Sequence, residues 1–76
     1  MKDLIDYLVK ALVDDPDAVN INEVPGEEAT TYEIRVASAD LGKVIGKQGK
    51  IANALRVVAK AAAMREKKRV YLEIIP

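Results

Sequence analysis

Apolar residues Ile5, Leu8, Val9 and Leu12 recur at intervals of three and four, which predicts an amphipathic helix over residues 2 to 13. The run Asp14-Asp15-Pro16-Asp17 stops it, because Pro16 cannot continue the helical hydrogen bonding. The period then changes to two. AVNINEV (18–24) and TYEIRVA (31–37) alternate apolar and polar residues and are rich in β-branched side chains, while PGEEAT (25–30) supplies a turn, so the pair reads as a β-hairpin. Leu41, Val44 and Ile45 predict a short helix capped or charge-stabilised by Ser38 or Asp40, and a longer helix starts just after Gly49 and runs to about residue 65. RVYLEII (69–75) reads as a last strand.

The order is α-β-β-α-α-β, without repeats or a linker, so residues 1–76 form one α+β domain. A crossover of two helices returns the chain parallel and right-handed, which predicts a three-stranded mixed sheet, order 1-2-3, with three helices on one face. Ile34 and Val36 are expected to face the helices, together with either Val70 or Tyr71 and its alternates, since the last strand is apolar on both faces. On the long helix, Ile51, Ala54, Leu55, Val58 and Ala62 form a stripe suited to the sheet, with Val57, Ala61 and Met64 on one flank and Ala52, Ala59 and Ala63 on the other. So wide an apolar arc exceeds what one small domain buries, which predicts a homodimer through this helix with Val57, Ala61 and Met64 as its first candidates.

Composition removes several chemistries. The chain has three Tyr, no Phe, no Trp, no Cys and no His, so it offers no aromatic stacking platform, disulfide, thiolate nucleophile, ordinary zinc set or imidazole base. No enzymatic activity, metal or cofactor is expected. Asp3, Asp6, Asp14, Asp15 and Asp17 read as solvated acids without a calcium loop. The N-terminal run mixes acids into its apolar pattern, which fits neither a signal peptide nor a membrane span, and a cytoplasmic protein is expected. Net charge is zero but polarised: residues 1–40 hold three Lys/Arg and ten Asp/Glu, residues 41–76 nine and two. A basic half of plus seven against an acidic half of minus seven suits contact with a polyanion.

Within the basic half lies VIGKQGK (44–50). Gly46 and Gly49 enclose Lys47 and Gln48 between two helices, so the chain can bend sharply there and another backbone can approach closely. The following helix brings free N–H groups and a positive dipole end beside Lys47 and Lys50, an arrangement favouring phosphate. Val44, Ile45 and Ile51 are expected to floor a groove for bases. A phosphate-binding G-x-x-x-x-G-K-[ST] loop does not fit, because GKVIGKQ spaces its glycines too closely and places Gln48 at the Ser/Thr position.

The run LGKVIGKQGKIANALR (41–56) closely resembles the signature of the K-homology (KH) domain, whose G-x-x-G loop joins two helices and clamps nucleic-acid backbone. The leading helix and strand resemble the type II KH arrangement, and size and ending resemble bacterial single-KH proteins of the KhpA type. That resemblance implies a non-enzymatic protein that grips single-stranded RNA, as a post-transcriptional regulator or RNA chaperone. It places the contact on Lys43, Val44, Ile45, Gly46, Lys47, Gln48, Gly49, Lys50 and Ile51. It further implies a homodimer and a heteromer with a larger KhpB/Jag-type KH protein, the alternative role being that of an adaptor between proteins.

Overall fold

A computed structural model describes residues 1–76. Its elements are α1 (Lys2–Leu12), β1 (Asn20–Pro25), β2 (Thr30–Arg35), α2 (Leu41–Ile45), α3 (Lys50–Arg65) and β3 (Val70–Ile75), with single 3-10 turns at Pro16–Ala18, Ser38–Asp40 and Lys47–Gly49. β1 and β2 are antiparallel, β2 and β3 parallel, in the order β1-β2-β3. The expected element order, mixed sheet and strand order are therefore present. No helix is long and apolar enough to cross a membrane.

Ile34 sits at the centre, aligned with Ile21 on one neighbouring strand and Ile74 on the other. In the same core cluster are Ile5 and Val9 of α1, Val44 of α2, and Leu55, Ala59 and Ala63 of α3; α1 and α3 lie on the sheet and α2 packs on both of them. Ile5, Val9, Ile34 and Val44 are essentially inaccessible, and each such burial contributes about 1.5–3 kcal/mol. The register settles the last strand's orientation. Tyr32 aligns with Leu72 and Thr30 with Val70, so Val70 and Leu72 turn inward and Tyr71 remains 54% exposed. Val36 lies just past the end of β2 and packs at the core margin. Tyr32 fills the volume no other aromatic supplies; burial, and then the carboxylate of Glu23, push its phenol above the ordinary range.

Two expectations are corrected. The buried face of α3 is Ala52, Leu55, Ala59 and Ala63, whereas Ala54 and Val58 face solvent. Small alanines let the helix axis lie close to β3, and the branched Val58 in that position would hold it off. Likewise, no side chain caps α2. The carboxylate of Asp40, the one charged residue in the core at 2% exposure, accepts the backbone N–H of Asp15 at 3.0 Å instead. That hydrogen bond, opposed by burial and helped by the Asp14 N–H and by Lys43, holds the carboxyl below the usual range. Asp40 thus ties the end of α1 to the helix that carries the glycine loop.

Candidate nucleic-acid interface

The turn from α2 to α3 is made within four residues, and three of them take positive φ: Gly46 (φ 75°, ψ 172°), Gln48 (57°, 26°) and Gly49 (75°, 14°). The Gly46 N–H donates to the Gly42 carbonyl at 2.9 Å, closing α2, and the Gly49 N–H donates to the Gly46 carbonyl at 3.2 Å. A β-carbon on Gly46 would stand 2.7 Å from the Ile51 side chain and 2.9 Å from its backbone nitrogen. One on Gly49 would meet nothing within 4 Å. The inner glycine therefore seats the loop against α3, and the outer one leaves backbone open to solvent. Lys47, Gln48 and Lys50 are exposed around it. The first turn of α3 has no side-chain cap and no acidic residue, so its dipole end is free of competing anions.

Ile45 is 36% exposed and Ile51 is half-buried against the core, so both offer apolar surface beside the loop. Two of the nine expected contact residues have other partners in this structure. Val44 is wholly buried because α2 needs it to anchor on Ile34's cluster, so it supports the loop from below and forms no groove floor. Lys43 directs its ammonium to the carboxylate of Asp14 and lies 3.6 Å from Asp40 Oδ1. These neighbours raise its pKa, the Asp14 hydrogen bond foremost.

A second basic surface lies away from the loop. A shallow groove between α3 and β3 is lined by Lys60, Met64, Lys68, Arg69 and Tyr71, and a smaller hollow beside it, sharing Lys60 and Tyr71, is lined by Arg56. Its lower end depends on how α3 stops. Lys67 takes a left-handed conformation (φ 57°), its N–H donates to the Met64 carbonyl at 3.0 Å, and the Lys68 N–H donates to the Ala63 carbonyl at 2.9 Å. This is a Schellman-type ending with Lys where Gly is usual. The Arg69 carbonyl then accepts the Thr30 N–H at 3.0 Å, which fixes where Lys68 and Arg69 stand relative to Lys60. The four-residue spacing of Arg56 and Lys60 was a usable signal, but only the tertiary fold places Lys60 beside Lys68 and Arg69.

The family described as "KhpA/KhpB, KH domain" matches over residues 2–74. The RNA-binding protein KhpA of Caldanaerobacter subterraneus subsp. tengcongensis is 56% identical over 75 residues, covering 99% of this chain and 100% of that protein. Its counterpart in Clostridium perfringens is 55% identical with the same coverage, and that of Aquifex aeolicus is 48% identical, covering 99% and 95%. Among solved structures, Aquifex aeolicus Era bound to GDP and aluminium fluoride superposes with a TM-score of 0.63 at 22% identity, covering 96% of this chain. Era in complex with MgGDPNP and nucleotides of 16S ribosomal RNA gives 0.64 at 22% identity, also over 96% of this chain. This chain spans only 28% of either Era chain, and at that identity the likeness shows the fold alone.

Proposed function

Because this chain belongs to the KhpA/KhpB family of KH domains, we propose that it is a non-enzymatic RNA-binding protein that grips single-stranded RNA through its Gly46-Lys47-Gln48-Gly49 loop. The observation carrying this reading is the loop itself: open backbone at Gly49 and exposed Lys47 and Lys50, at an uncapped, acid-free helix start. Phosphates meet the loop and the α3 dipole, Ile45 and Ile51 offer apolar surface for bases, and the α3–β3 groove extends the cationic track toward Lys68 and Arg69. Such a protein would act in the cytoplasm on cellular transcripts, as a post-transcriptional regulator or RNA chaperone.

With one short site and no stacking aromatics, binding is weak and salt-sensitive, the logarithm of affinity falling by about 0.7 per neutralised phosphate for each tenfold rise in salt. Fluorescence anisotropy with a labelled single strand and its duplex, at one salt concentration, is expected to favour the single strand. Equal affinities would remove the base-holding part of the reading.

The same reading includes a homodimer. Val57 (67% exposed), Val58 (44%) and Met64 (74%), with exposed Ala54 and Ala61, form an apolar ridge along the outer side of α3. Two copies meeting on this ridge would join two weak RNA sites into one of higher avidity. Sedimentation of the wild type at tens of micromolar is expected to give about twice the monomer mass, and Val57→Lys about the monomer mass. A wild type that stays monomeric across that range excludes this interface. The adaptor alternative, pairing with a KhpB/Jag-type protein, would use the same ridge and predicts no saturable RNA binding.

A further inference from the structure

Of the nine Lys and Arg residues from position 41 onward, Lys43 alone is ion-paired. It lies on α2, one helical turn before Lys47, where an extended cation would continue the phosphate-facing surface of the loop. The two carboxylates that hold it differ in kind. Asp40 is buried and committed to the Asp15 N–H, so it is a fixed part of the fold. Asp14 sits in the turn after α1 with its side chain 81% exposed, and its carboxylate is occupied only by Lys43. Asp15, whose N–H meets Asp40 at the start of α2, and Asp17 follow it in the same exposed acidic turn.

We propose that Asp14 is an internal competitor for RNA phosphate, holding Lys43 away from the strand gripped by the loop and thereby setting both the affinity of the site and the side on which its phosphate track ends. The inference rests on the loop reading above. An exposed ion pair is weak enough for a phosphate to compete with it, so the contact tunes the site and does not close it. The strand is held at Lys47 and Lys50 and is directed along α3 toward Arg56 and Lys60, away from the acidic turn. Removing the Asp14 charge leaves Lys43 with only the more distant Asp40 carboxylate and frees its ammonium for one further phosphate.

Anisotropy titrations of a labelled oligouridine across a range of KCl test this with Asp14→Asn, Lys43→Gln, the combined variant, and Asp17→Asn as a charge-matched neighbour. Asp14→Asn is expected to tighten binding roughly threefold to tenfold and to steepen the salt slope by about 0.7, as one added phosphate contact on a single strand requires. Asp17→Asn, which removes the same charge without freeing a cation, gives a smaller gain. Lys43→Gln costs more affinity in the Asp14→Asn background than in the wild type. An equal cost in both backgrounds, or a gain from Asp14→Asn that survives Lys43→Gln, overturns the proposal and leaves only general charge repulsion. Lys47→Asp/Gln48→Asp run alongside separates the two possible failures. If that variant binds like the wild type, the loop reading has failed and this inference falls with it. If it loses binding while Asp14 and Lys43 show no coupling, this inference alone is wrong.

Discussion

Replacing Lys47 and Gln48 together by Asp is expected to weaken RNA binding by at least about tenfold at low salt while leaving thermal unfolding unchanged. The two substitutions shift the loop by three charge units at the point nearest the α3 dipole, where each lost or repelled phosphate also lowers the salt slope by about 0.7. Stability is spared because both side chains are exposed and make no hydrogen bond or ion pair in the structure. Backbone geometry is spared as well. Residue 48 is left-handed at φ 57° and ψ 26°, a region in which Asp is among the better-tolerated residues. Anisotropy and circular-dichroism melts of the same preparations check both halves of the statement. Unchanged affinity alongside a normal melt would show that RNA does not use this loop.

The two glycines of the motif are expected to respond very differently to the same added methyl group. Gly46→Ala places a β-carbon against the backbone nitrogen of Ile51, which cannot move without unwinding the first turn of α3, and does so at φ 75° and ψ 172°, a region occupied essentially by glycine alone. Strain and overpacking together should cost about 2–4 kcal/mol, or roughly 10–20 °C in melting temperature for a domain of this size. Gly49→Ala meets only open space in an ordinary left-handed conformation and should cost about 1 kcal/mol, near 5 °C. Its effect on RNA should exceed its effect on stability, because the methyl group stands on the face where another backbone would approach. Thermal melts of the two variants decide the matter, and equal losses would show that the loop is not seated on Ile51 as described.

Much of this architecture was legible from local pattern. Apolar spacing of three and four located α1 and α3, the period of two located the hairpin, and the two glycines of GKQG marked a sharp turn between helices, so element order and crossover followed. Those signals work because each is carried by neighbours along one segment. What the tertiary structure alone decided involves partners distant in sequence. Lys43 meets Asp14 across 29 positions and Asp40 meets the Asp15 N–H across 25, pairings that nothing in either segment announces.

Where the apolar pattern was broad, it could not choose a face. α3 is so rich in alanine that several of its sides are equally acceptable to a core, and β3 is apolar on both. The face each buries was set by fit: alanines where α3 must lie close to the sheet, and Val70 and Leu72 inward because parallel register with Thr30 and Tyr32 requires it. Val44 shows the same division of labour. The sequence by itself determined that an apolar residue precedes the glycine loop; only the packing of α2 into the core cluster decided that it belongs to the core and not to the surface that meets a ligand, because burial depends on what the rest of the chain brings to the other side.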